Sequence, residues 1–340
     1  MLQRVLKRLT SIPTPVIFAF SLVMALLLLW QQDALSSIRP AIRDADPWTI
    51  AAALLLYLAG LALLCVRWNL LVTMVSGATR HLRASEAFIT SVAVNYAAPL
   101  SLALPSRAYL TKRALGLGTA ETASITFWEV ASDLTVLAIG TLIWIAIGGW
   151  RGQGVAVDDR IVGLGAALVL GGLLAAYFAI RRAARLRSLL RKMSSHFAEA
   201  LKHPTRRPRQ SLLALAVSVV YWIVQGGVLF LLLKAIDGAE PKLSLVLGLT
   251  TLPILVGMLS PVPGGAGVRE ALMIAVASVH GANEANVLLA GVTYRIALFA
   301  AIPILYGIIR ILIALRDGDE GHDRVLQERV PEQDGLPIDG

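Results

Sequence analysis

The chain has 340 residues, 56% of them hydrophobic and 16% charged, with a mean hydropathy of +0.70; a soluble domain of this length cannot bury so much apolar surface, so lipid is the solvent that fits. The net charge of +9 would suggest nucleic acid in a soluble protein. Between apolar runs it reports orientation and anionic headgroups instead, and a single cysteine, Cys65, excludes an intramolecular disulfide or a cysteine-rich metal site.

Residues 1–13 carry Arg4, Lys7 and Arg8 and read as a short cytoplasmic segment. The apolar run Val16–Trp30 follows without a small-x-small cleavage site, which makes it a retained first membrane helix rather than a signal peptide. Apolar runs predict spanning helices near 14–32, 48–66, 122–147, 161–180, 211–233 and 287–313, each close to the ~20 residues that cross about 30 Å of hydrocarbon. Three further apolar stretches are broken or short. Residues 87–104 contain Asn95 and Pro99 with Pro105 next to them, 243–259 contain Pro253, and 268–279 are too few to cross.

The distribution of Lys and Arg orders these pieces, because cytoplasmic loops carry the excess of positive charge. The connection 181–210 holds ten of the 31 basic residues and one acid, Glu199, which places it in the cytoplasm. If 87–104 dips into the membrane and returns, the basic stretches around 1–13, 67–85, 105–121 and 181–210 and the C-terminal tail all fall on that side, and both termini are cytoplasmic. Residues 243–279 either cross twice or form a second hairpin from the opposite face. The hairpin version places two Pro-interrupted segments in the two halves of the chain, the pattern of an inverted-repeat transporter with a site near the midplane. The fold expected is therefore all-α and polytopic, with about six to eight spans and one or two re-entrant, Pro/Gly-interrupted hairpins. The membrane domain runs from 14 to 315, and the polar tail 316–340, opening with Asp317, Gly318 and Asp319, is expected to be disordered.

Ionisable residues inside apolar segments are costly, roughly 2.5–3.5 kcal/mol each on insertion scales, and mark cavities, partners or ion paths. Glu129 and Asp133, four apart on one helical run, share a face. They either bind a cation, a proton or a headgroup amine, or they pair with buried arginines to fix packing. In Pro261-Val262-Pro263-Gly264-Gly265-Ala266-Gly267-Val268-Arg269-Glu270, prolines stop one helix and glycines turn the backbone so that N–H groups open the next helix. Helix N-termini bind anions, so Gly264, Gly265, Gly267 and Arg269 are candidates for a lipid phosphate; a tight interhelical turn is the plainer reading. Tyr294-Arg295 lies deep in the last run, where Arg295 requires a counter-ion among Glu129, Asp133 and Glu270. Asn95 is read as satisfying broken backbone groups, Arg107 as a phosphate contact, and Lys112 and Arg113 as cytoplasmic charge. The five histidines are scattered without metal-ligand spacing, and no nucleotide loop or nucleophile elbow is present. No catalysis, metal or cofactor is expected.

These residues resemble the lysylphosphatidylglycerol synthase transmembrane region, the flippase-like UPF0104 membrane family. The resemblance runs from about residue 14 to 315 and rests on Arg67-Trp68, Asn95 to Pro99 with Arg107, Trp128-Glu129 to Asp133-Leu134, the segment Pro261 to Glu270, and Tyr294-Arg295 before Pro303 and Gly307. The Pro-Gly-Gly-x-Gly-Val-x-Glu element is its most specific part. In place of the acidic residue that the family often carries after Pro105, this chain has Ser106-Arg107-Ala108-Tyr109. The resemblance implies a bacterial inner-membrane protein that moves or handles lipids: a phospholipid, an aminoacyl-lipid, or a polyprenyl or hopanoid-type lipid. A soluble aminoacyl-transferase domain is not expected, so synthase activity is not carried over from the resemblance.

Arg269, Arg295, Arg107 and the glycine turn would hold the lipid phosphate, Glu129, Asp133 and Glu270 would balance charge or hold a cation, and Asn95 and Tyr294 would be structural. Membrane lipids are the expected partners, together with a lipid-modifying enzyme or glycosyltransferase and further copies of the chain; nucleic acid is not. The competing reading is a non-transporting subunit that scaffolds such an enzyme, and a third is a transporter of small polar solutes.

Overall fold

A computed structural model describes residues 46–77, 80–97, 100–148, 202–259 and 267–328. The helices expected near 14–32 and 161–180 lie outside the described residues, as do Gly264 and Gly265. The described residues are helical throughout, with no strand. In chain order the helices are α1 (Pro47–Ser76), α2 (His81–Ala97), α3 (Leu100–Leu115), α4 (Thr119–Ala146), α5 (Pro208–Asp237), α6 (Leu243–Leu259), α7 (Val268–Val279) and α8 (Glu284–Glu328).

Four helices, α1, α4, α5 and the Glu284–Arg316 part of α8, are long and apolar enough to cross a membrane. α1 starts on Asp46, whose carboxylate accepts from the Trp48 and Thr49 amides and the Thr49 hydroxyl with a proline at the first helical position; the Thr49 hydroxyl, opposed by some burial and helped by the two amides, holds that carboxyl below its ordinary range. α1 runs to Ser76, about ten residues past the apolar run: Arg67 is buried, and Asn69, Thr73 and Ser76 donate to carbonyls one turn back in the helix. The described part of α8 ends at Glu328, and the rest of the tail expected to be disordered, 329–340, lies outside the described residues.

α1 and α5 are antiparallel. Gln225 faces Gly60, Ser218 faces Arg67, and Arg207 donates to the Thr73 carbonyl. A Cβ at Gly60 would sit 2.7 Å from the Gln225 amide nitrogen and one at Gly227 would sit 3.0 Å from Leu56, so glycine is what lets these two backbones close up.

The broken stretch 87–104 resolves into two short helices, α2 of 17 and α3 of 16 residues, about 24–26 Å each. They pack on each other with Arg107 of α3 against Ser91 of α2. Pro105 is the sixth residue of α3, past the first turn, so its missing N–H leaves the Ser101 carbonyl without a helical donor. α6 and α7 form the counterpart. α7 has 12 residues, about 18 Å, too short to cross, and Val276 near its end lies beside Gly248 near the start of α6. Both ends of this pair therefore emerge on one side, where Asn286 of α8 bonds Asp237 at the end of α5.

The α2–α3 pair opens at the end where α1 stops and α4 and α5 begin. The α6–α7 pair opens at the opposite end. The order span, hairpin, span thus occurs twice with inverted direction: α1, α2–α3, α4 and then α5, α6–α7, α8. Contacts follow the same symmetry. α3 touches α4 as α7 touches α8, and α4 packs on α6 as α8 packs on α2. Gly140 of α4 meets Thr251 of α6, and Gly248 of α6 meets Trp144 of α4; in the other half Arg310 of α8 donates to Glu86 of α2 at 3.0 Å. Of the one or two interrupted hairpins expected, the described backbone shows two helix pairs, in the inverted order of a repeat.

Candidate functional site

Arg67 is the centre of the more deeply buried charge cluster. It lies nine residues before the end of α1 and is 1% exposed, about 14 Å in from that end. Its guanidinium reaches both carboxylates of α4. Nη1 pairs with Asp133 Oδ1, Nη2 donates to Asp133 Oδ2 at 3.0 Å, and Nη2 lies 3.4 Å from Glu129 Oε1. The planar fork of arginine suits this two-oxygen contact. α5 closes the cluster from the other side. The Trp222 indole donates to Asp133 Oδ1 at 2.9 Å, Arg67 donates to the Ser218 hydroxyl at 3.3 Å, and the Tyr221 ring lies 5.9 Å from the guanidinium carbon.

Arg107 brings the first hairpin into this cluster. Its Nη1 pairs with Glu129 Oε1, its Nε donates to Ser91 Oγ at 2.9 Å, and its charge lies over the rings of Phe88 and Trp68 at 5.0 and 6.0 Å. Two arginines and two carboxylates leave the set electrically neutral. They are not equally satisfied. Both Asp133 oxygens are engaged, while Glu129 takes both arginines on Oε1 and leaves Oε2 buried without a hydrogen-bond partner among the described residues. A buried bare acceptor costs about 1–3 kcal/mol; Arg67 Nε is bare among the described residues as well, so Glu129 and Arg67 both hold spare capacity for a further partner.

The second cluster belongs to the other hairpin. Glu270, in the first turn of α7, accepts from the Gly267 amide at 2.6 Å through Oε2 and pairs with Arg295 of α8 at 2.5 Å through Oε1. Gly267 has φ of +81°, a conformation that favours glycine. The Arg269 charge lies 5.2 Å from the centre of the Tyr294 ring, and the Tyr294 hydroxyl donates to Gln225 of α5 at 2.6 Å. Tyr57 of α1 meets Tyr294 edge-on at 5.1 Å. Tyr57 and Arg67 are ten residues apart in α1, so the clusters are separated by about 15 Å along that helix, with Gln225 and Tyr221 of α5 between them. Two arginines against one carboxylate give this set one positive charge in excess.

The sequence expectations are sorted by this geometry. Glu129 and Asp133 share a face, and the buried arginines that hold them are Arg67 and Arg107. The counter-ion of Arg295 is Glu270. Arg107 is on Glu129 and Tyr294 on Gln225. Asn95 lies in α2, with its side chain outside what is described. Arg67, Gln225 and Trp222 are site residues that sequence reasoning did not single out as such. Their signal is an arginine at the end of the 48–66 run and a glutamine in the middle of the 211–233 run. Among the described residues no group of three His, Cys, Asp or Glu side chains is placed to hold a metal ion.

Residues 16–307 match the family described as lysylphosphatidylglycerol synthase TM region. The chain belongs to this family. A curated relative, the "Inner membrane protein YbhN" of Escherichia coli (strain K12), is 30% identical over 103 residues, which is 30% of this chain and 31% of the relative. That match spans about a third of the relative's length. The family match takes in both hairpins and both charge clusters, and this family member is a polytopic helical membrane protein.

Proposed function

We propose that this protein is a non-enzymatic lipid translocator of a bacterial inner membrane, with the α2–α3 hairpin and both termini on the cytoplasmic side. The observation that carries the reading is the Arg67–Arg107–Glu129–Asp133 cluster. Four formal charges sit well inside the bundle between a re-entrant hairpin and three spans, in a membrane where each ion is expensive unless it serves a path or a partner. Supporting it, the second cluster meets the same inter-repeat seam through Gln225 from the opposite direction and carries the excess positive charge that a lipid phosphate would neutralise.

In this reading Arg269, at the glycine-opened start of α7, and Arg295 of α8 take the phosphate on one side and Arg107 takes it on the other. The polar thread through Tyr221, Gln225 and Tyr294 carries the headgroup across while the acyl chains stay in lipid. The name of the curated relative supports the inner membrane, and the dense basic stretches on the α2–α3 side support the orientation.

The test is reconstitution into proteoliposomes with fluorescent phospholipids in the two leaflets. Wild type is expected to move a lipid with an anionic headgroup, and Arg295→Ala and Glu129→Gln to slow it at least about tenfold, the effect of ~1.4 kcal/mol at the barrier. Unchanged rates in both variants would remove the clusters from the mechanism. A wild-type protein that moves no lipid yet co-purifies with a glycosyltransferase or lipid-modifying enzyme would establish the scaffold reading instead.

A further inference from the structure

The two hairpins are tied down in the same way at equivalent places. Glu129 is the eleventh residue of α4 and Arg295 the twelfth of α8, and each is gripped by the hairpin of its own half: Glu129 by Arg107 of α3, Arg295 by Glu270 of α7. The polarity is exchanged between the halves. In this structure both pairs are closed.

We propose that these two ion pairs are alternating latches: releasing Arg107 from Glu129 opens the polar core toward the basic end of the molecule, releasing Glu270 from Arg295 opens it toward the opposite end, and opening one tightens the other. The inference deepens the translocator reading by assigning the control of access to its site, and its test reads access alone.

Each carboxylate keeps a second partner when its latch opens. Glu129 retains Arg67 at 3.4 Å, and Glu270 retains the Gly267 amide at 2.6 Å. Arg107 likewise keeps Ser91 and the Phe88 and Trp68 rings. Opening therefore strands none of these three charges without a partner, the condition that makes most buried pairs rigid.

The coupling runs through α4 and α8. α4 meets the first hairpin at Glu129 and the second at Gly140 and Trp144, where Thr251 and Gly248 leave no spare room: a Cβ at Gly140 would lie 2.6 Å from Thr251, and one at Gly248 would lie 2.6 Å from Trp144. α8 meets the second hairpin at Arg295 and the first at Arg310, bonded to Glu86. A tilt of α4 away from α3 presses its far end onto α6, and a tilt of α8 away from α7 presses on α2. Meanwhile α1 and α5, closed up at Gly60 and Gly227, form the fixed centre. Close-packed contacts of this kind move between discrete arrangements rather than deform.

The experiment measures alkylation by a water-soluble thiol reagent in proteoliposomes on a Cys65→Ala background. Ala93→Cys in α2 and Met273→Cys in α7, 1% and 2% exposed in the native residues, report on the two hairpins. Glu270→Gln removes the latch charge while its amide oxygen can still accept from Gly267. It is expected to raise labelling at position 273 roughly tenfold and to lower it at 93, the signature of a shifted two-state equilibrium. Arg107→Ala is expected to do the reverse. A change at one reporter with the other unmoved would show independent hairpins and overturn the alternation; a rise at both would show general loosening, and no rise at the hairpin whose pair is cut would show static salt bridges, each of which also overturns it. Because no lipid movement is measured, a failure of the translocator reading would leave this result standing.

Discussion

Arg67→Met is expected to destabilise the protein by about 3–5 kcal/mol, the cost of leaving a buried carboxylate without its counter-ion, read as a large fall in the detergent-solubilised melting temperature and in monodisperse yield. Asp133 bears the loss, because its remaining donor is the Trp222 indole, while Glu129 keeps Arg107. Arg67→Lys is expected to recover little, since one ammonium cannot match two carboxylate oxygens as the guanidinium fork does. Arg67→Met combined with Asp133→Leu is expected to recover most of the stability: it removes the pair together and leaves Arg107 and Glu129 neutral as a couple. If Arg67→Met alone melts like wild type, the arginine is not the charge that holds α1, α4 and α5 together.

Arg107→Ala is expected to act on movement rather than on folding. Arg107 is the member of the cluster that belongs to a hairpin, its side chain is 12% exposed against 2% for Arg67, and Glu129 keeps Arg67 in its absence. The unfolding midpoint is expected to fall little, while lipid translocation falls about tenfold to a hundredfold, the range for a lost charge-assisted hydrogen bond of ~1.5–3 kcal/mol. Arg107→Lys is expected to recover part of the rate, since a point charge still attracts phosphate without the fork. An equal loss of melting temperature and rate would place Arg107 with Arg67 as a structural charge.

The two arginines explain which parts of this molecule are legible in sequence. Long apolar runs name their helices, because burial in lipid demands about twenty such residues whatever the neighbours are; α1, α4, α5 and α8 follow from that alone. The breaks that make the hairpins are legible too, although 243–279 reads from sequence as either two crossings or a hairpin. Pro99 and Pro105 interrupt one run, Pro253 and the 261–267 glycines and prolines interrupt the other, and the lysine and arginine pattern says on which side each returns.

Pairing is a different matter. Glu129 is read correctly as inward-facing, yet its partners come from Arg67, 62 positions away, and Arg107, 22 positions away, and no local spacing encodes either distance. Arg67 also hides by position: at the end of an apolar run it resembles a boundary charge, and only the nine further helical residues of α1 show that it is inside. For Arg295 the sequence offers three acids, Glu129, Asp133 and Glu270, and the packing of α7 against α8 selects Glu270. Gln225 was not, since a single amide in a long apolar helix carries no sign of the tyrosine it will meet from α8.

Thiol accessibility in sealed vesicles of known orientation tests the arrangement on which everything above depends, using single cysteines on a Cys65→Ala background at Arg80, just before α2, and Lys112, in the last turn of α3, and at Glu240 and Asn283, which flank α6–α7. The account predicts that positions 80 and 112 react from the cytoplasmic face and positions 240 and 283 from the other. Positions 80 and 112 reacting from opposite faces would mean that the first hairpin crosses the bilayer, and the inverted pair of hairpins around a buried charge cluster would be contradicted.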